Sequence, residues 1–123
     1  MWGNEIGPEG AKEIAKALSV NASLTSCDLS LNNIGDEGAK AIGDALRVNA
    51  SLTSCNLACN ELCGLDFEGN GTYTAEGITA IADALRVNAS LTSCDLSYNG
   101  IGPEGAKSIA EALLVNASLT NLS

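Results

Sequence analysis

Between Leu24 and Ser30 the chain alternates. Cys27 and Leu29 fall on one side, and Ser26, Asp28 and Ser30 on the other. A period of two is that of a strand with one apolar face. Elsewhere the period lengthens. Ala11, Ile14, Ala15 and Leu18 recur at the spacing of one helical face. Pro8 suits the first turn of that helix, where a missing N–H costs nothing, and Glu9 sits beside the positive end of its dipole. A second helix is predicted over Ala39 to Arg47. Asn21, just past the first helix, is placed to take the left-handed conformation that ends one.

This strand, turn and helix recur. Ser23 to Ala50 returns almost unchanged as Ser90 to Ala117. Asn4, Asn32 and Asn60 stand 28 residues apart and Asn99 a further 39, so the third period carries 11 extra residues. Self-similarity at this period is the mark of a solenoid. The chain reads as one array. It comprises a part-repeat 1–22, a repeat 23–50, a repeat with the insertion 51–89, a repeat 90–117 and a part-strand 118–123. No unit can bury its apolar faces alone. Stacking is expected to bury Cys27, Leu29, Cys55, Leu57, Cys94 and Leu96 against Ile42, Leu46, Ile81, Leu85, Ile109 and Leu113. Asn32, Asn60 and Asn99 are expected to form a ladder that satisfies the backbone where it leaves the sheet.

The spacing Leu24-x-x-Cys27-x-Leu29-x-x-Asn32-x-Ile34 resembles the leucine-rich repeat. The following Gly38-Ala39-x-x-Ile42-x-x-Ala45-Leu46 and the 28-residue length resemble its ribonuclease-inhibitor-like subtype. The resemblance implies an α/β leucine-rich repeat solenoid. In that horseshoe arc, parallel strands line the concave side and helices the convex side. It also implies a non-enzymatic protein-interaction or structural scaffold. Both ends fall within a repeat and lack a polar capping unit. Two alternatives follow: a segment of a longer array, or end-to-end self-association through open solenoid ends.

Composition narrows the partners. Six basic residues stand against 15 acidic ones, a net charge of −9. This disfavours nucleic acid and anionic membrane and suits a protein with a basic surface. The absence of histidine removes the commonest general base, and no serine has a partner for nucleophilic chemistry. Cys27, Cys55 and Cys94 share one repeat position, so they read as small buried hydrophobes. Reduced thiols and the lack of a signal peptide at the start point to an intracellular, cytoplasmic setting.

Candidate partner contacts lie in columns on the expected concave face. Asp28, Asn56 and Asp95 form one, and Tyr98 is an aromatic of the kind that anchors interfaces. The insertion offers a second chemistry. Asp66, Glu68, Asn70, Gly71 and Thr72 follow the first half of an EF-hand calcium loop, with Thr74 further on. The closing glutamate of such a loop would be Glu76, one residue early, with Gly77 in its place. Ca2+ is therefore the alternative ligand. Cys59 and Cys63 flank the insertion but make a poor zinc set without histidine. Asn-x-Ser/Thr recurs with the repeat at Asn21, Asn49, Asn88 and Asn116, which points to a structural task at helix ends.

Overall fold

The computed structural model describes residues 4–65 and 68–123. Within them helix and strand alternate in the order α1 (Gly7–Val20), β1 (Ser26–Asp28), α2 (Gly35–Val48), β2 (Ser54–Asn56), α3 (Glu76–Val87), β3 (Ser93–Asp95), α4 (Gly102–Leu113) and β4 (Asn121–Leu122). The strands form one parallel sheet in chain order. Cys27 stands opposite Cys55, Cys55 opposite Cys94, and Cys94 opposite Leu122. Parallel neighbours need a long crossover, and here each crossover contains a helix. The result is two layers, a sheet and a row of helices, with the core between them.

The core follows the alternation. Leu29, Leu57 and Leu96 enter it from the strand ends, and Ile42, Leu46, Ile81 and Leu85 from the helices; all are fully buried. Two expectations are corrected. Cys27 is only half-buried, because β1 has a strand on one side alone. Leu113 is 41% exposed, because no described helix covers its far side.

The helices begin earlier than the apolar period suggests. α1 starts at Gly7 and α2 at Gly35, and both recruit the glycine and acidic residues before the apolar face. Their first N–H groups are not wasted on solvent. Gly7 N–H donates to the Asn32 carbonyl and Gly35 N–H to the Asn60 carbonyl, each at 2.8 Å. The first two units thus tie their helix starts to the unit that follows. Close approach dictates one glycine in particular. A Cβ on Gly77 would stand 2.7 Å from Ala39 Cβ and 2.8 Å from the Asp36 carbonyl oxygen. No larger residue lets α3 lie so near α2.

Asn32, Asn60 and Asn99 form the expected ladder. Asn60 Oδ1 accepts the N–H of Asn32 at 2.9 Å, and Asn99 Oδ1 accepts that of Asn60 at 2.7 Å. The Asn60 amide donates to the carbonyls of Leu29 and Leu57, at 2.8 and 3.1 Å. The Asn99 amide donates to those of Leu57 and Leu96, both at 2.9 Å.

A second ladder runs along the other end of the helices. The Asn49 amide donates to the Leu18 and Asn21 carbonyls, and Asn88 and Asn116 repeat this one unit on. The Oδ1 of Asn49 accepts the N–H groups of Ser51 and Leu52, both at 2.9 Å. This overturns the left-handed ending expected for Asn21. Asn21, Asn49 and Asn88 are extended, with φ near −75 to −78. An extended backbone is what lets the side chain reach forward to its own chain and back to the preceding unit. Asn49 and Asn88 are also buried, with their amide nitrogens committed, so neither is free to accept a sugar in the folded chain.

The thiols are free. Burial, followed by the nearby Asp95 charge, pushes the Cys94 thiol up to about 12. Burial and the adjoining Cys94 raise Cys55 in the same direction. The thiolate is the reactive form.

Two outcomes are expected. Alkylation of the native protein at about pH 8 should label half-exposed Cys59 well before Cys55 and Cys94; mass mapping reads the order. Asn60→Ala removes acceptor and donors from a site with no access to water, so it should cost about 3 kcal/mol in urea denaturation.

Candidate protein-interaction surface

Asp28, Asn56 and Asp95 stand side by side at the ends of β1, β2 and β3. Each bends its own chain. Asp28 Oδ1 accepts the Ser30 N–H at 3.0 Å and the Ser30 hydroxyl at 2.7 Å. Asp95 Oδ1 accepts the Ser97 N–H at 2.9 Å and the Ser97 hydroxyl at 2.6 Å. Asn56 Oδ1 accepts the Ala58 N–H at 3.0 Å. These are turns in which the side chain mimics a backbone acceptor. They engage one carboxylate oxygen of each aspartate, with Asp28 exposed and Asp95 half-buried. The hydroxyl of Ser30, then its N–H, holds the Asp28 carboxyl below the usual aspartate value.

Three residues beyond this column the backbone does something the sequence did not announce. Leu31, Cys59 and Tyr98 have φ of 59, 59 and 58. They are locked in line with one another: Leu31 N–H donates to the Ala58 carbonyl and Cys59 N–H to the Ser97 carbonyl. Left-handed backbone costs a non-glycine residue about 1 to 2 kcal/mol. Glycine would adopt it freely. Instead the column carries Leu31, 44% exposed, and Tyr98, 77% exposed. Large apolar side chains are thus held outward on strained backbone, with carboxylates alongside. Two positions on, Glu5, Asn33 and Glu61 share the same conformation, at φ of 51, 54 and 56. The ridge is therefore acidic on both flanks.

The insertion lies beside the fourth unit. Its ends close on each other, since Thr74 N–H donates to the Cys63 carbonyl at 2.9 Å. Leu65 and Gly71 pair antiparallel within it. Tyr73 reaches across and donates its hydroxyl to the Ile101 carbonyl. Its ring covers Gly102, where a Cβ would stand only 3.4 Å from the ring edge. Leu65 sits over Gly100. The inserted residues therefore clasp units three and four together.

Of the calcium set, Asp66 lies outside the described residues. Thr74 and Glu76 are engaged at the start of α3. Thr74 Oγ1 accepts the Glu76 N–H at 3.2 Å, at the start of α3. The Glu76 carboxylate meets Lys40 Nζ at 3.3 Å on the helix side. Glu68, Asn70 and Thr72 are exposed along the loop. Among the described residues no three Cys, Asp or Glu side chains cluster as a metal ion requires. Near Glu76 a groove of about 730 Å³ opens between the helices, lined by Lys40, Asp44, Tyr73, Asp83 and Glu104. It lies on the layer opposite the ridge.

A family model described as Leucine Rich repeat matches residues 3–15, 20–43 and 87–110. Together with the stacked strand–helix units, this makes the chain a leucine-rich repeat protein. A solved structure titled "Leiomodin-1 Actin-Binding Site 2 (ABS2)" superposes with a TM-score of 0.77 at 26% identity. The match covers 98% of this chain and 65% of the other, so the present chain spans a little under two thirds of that structure. No curated protein sequence matches. No helix among the described residues is long and apolar enough to cross a membrane.

A depressed carboxyl stabilises the folded state above its unfolded value, and the benefit fades as pH falls through the folded value. Asp28 should therefore titrate by NMR below an ordinary aspartate. Ser30→Ala should return it toward the normal range and remove this part of the acid sensitivity.

Proposed function

We propose that the chain is a protein-interaction module, of the ribonuclease-inhibitor-like kind, whose partner docks on the sheet side along Leu31, Cys59 and Tyr98. One observation carries this reading. Large apolar side chains occupy left-handed backbone and stay exposed, where a smaller residue would make a more stable turn. Strain without a packing reward is the signature of a surface kept for another molecule. Asp28 and Asp95 flank the ridge on the strand side, and Glu5 and Glu61 on the other. The complementary partner presents an apolar segment bordered by Lys or Arg. The resemblance to a structure titled as an actin-binding site makes actin the first partner to test.

The test uses the strain itself. Actin binding is measured by calorimetry and co-sedimentation with the wild-type chain, Tyr98→Gly and Leu31→Gly. Glycine relieves the backbone, so both variants should keep or raise Tm. Loss of the aromatic anchor should weaken binding roughly tenfold or more. Asp28→Lys with Asp95→Lys should weaken it further and flatten its salt dependence. Wild-type affinity in Tyr98→Gly would retire the ridge, and absence of binding by the wild type would retire actin.

A further inference from the structure

The sequence contains two Asn-Gly pairs, Asn70-Gly71 and Asn99-Gly100. Asparagine amides are thermolabile, and glycine on the carboxyl side removes the Cβ that would shield the next backbone nitrogen. The fold treats the two pairs in opposite ways. Asn99 is 2% exposed. Its amide donates to the carbonyls of Leu57, Leu96 and Ser97, and its Oδ1 accepts the N–H groups of Asn60 and Leu62. Rotation of that side chain toward its own backbone would break the ladder at five bonds. Asn70 and Gly71 are both exposed, in the inserted loop, outside every helix and strand of the sheet. Gly71 has a φ of 116, a region open to glycine and strained for other residues.

We propose that Asn70 is a site of spontaneous modification, converting to aspartate and isoaspartate while Asn99 is protected by the fold. The backbone nitrogen of Gly71 attacks Asn70 Cγ. A new N–C bond closes a five-membered succinimide, the Cγ–Nδ2 bond breaks, and the amide nitrogen leaves as ammonia. Water then adds to either ring carbonyl and opens the C–N bond on that side. One opening gives aspartate; the other gives isoaspartate, in which the main chain runs through the side-chain carbon. No oxidant or reductant is involved, and water is the co-reactant.

The modification has a structural consequence here. Isoaspartate lengthens the backbone immediately before Gly71, the residue paired with Leu65. It also adds negative charge next to Glu68 in a chain already at −9. Both effects work against the clasp that seats Leu65 over Gly100 and Tyr73 over Gly102. The loop should therefore loosen with age while the rest of the array stays intact.

The experiment is peptide mapping of the whole chain after warm incubation at mildly alkaline pH, native and in urea. In the native protein the Asn70 peptide should gain the mass of amide-to-acid conversion with both isomers present. The Asn99 peptide should convert roughly tenfold more slowly or less, because it reacts only from opened states. In urea the two should convert at similar rates. Amide exchange at Thr74, which donates to Cys63, should be faster in the aged protein than in fresh Asn70→Asp, which carries the charge on an ordinary backbone. The idea is overturned if native Asn70 remains an amide while the urea sample converts, or if Asn99 keeps pace with Asn70 in the folded chain. Unchanged Thr74 exchange in the isoaspartate form would overturn the loosening of the clasp.

Discussion

Everything in this molecule depends on a hydrogen-bonding debt at the places where the chain leaves the sheet. A strand of three residues satisfies few of its own polar groups, and the turns on either side run through the buried layer between units. Unpaired backbone groups there would each cost about 1 to 3 kcal/mol. Side-chain amides meet that demand because they carry both donors and acceptors on a short arm. Asn60 accepts from one neighbouring unit and donates to three carbonyls. At the opposite ends of the helices Asn49 and Asn88 each donate to two carbonyls behind them and accept from the turn just ahead. Two rails of asparagine thus hold the array along its length, and the apolar core fills the space between them.

The parts of this arrangement with a periodic signature were legible in the sequence. The spacing of Asn32, Asn60 and Asn99 foretold the first ladder, and the alternation around Cys55 and Cys94 foretold their burial. The second ladder was visible only as a recurring Asn-x-Ser/Thr, and its conformation was misread. Local rules favour a left-handed asparagine after a helix, whereas a carbonyl in the preceding unit draws Asn49 into an extended form. Leu31, Cys59 and Tyr98 gave no warning of their backbone. Leucine, cysteine and tyrosine do not ask for that conformation; lateral bonds between units hold Leu31 and Cys59 in it. The candidate surface was therefore half legible. Its aspartates and Tyr98 stood out by type, and Leu31 did not.

The two layers divide the labour. On the helix side Lys40 is held by Glu37 and Glu76, which ties α2 to α3. On the sheet side Asp28 and Asp95 hold the turns after their strands through one carboxylate oxygen each. A partner arriving from that side meets an ordered surface, since the turns fix Asp28 and Asp95 before it binds. Preorganisation of this kind reduces the entropy lost on association.

Near-identical units carry a hazard of their own: the chain has several interchangeable ways to stack, and repeat proteins are prone to wrong internal pairings. Ser23 to Ala50 and Ser90 to Ala117 differ so little that their core faces alone give weak guidance about order. The clasp supplies what the cores lack. Leu65 rests on Gly100, at a position where the other units carry Glu5, Asn33 and Glu61, so the surface it meets is particular to the fourth unit. The break in the repeat thereby acts as an address label, telling otherwise anonymous slabs which of them comes next.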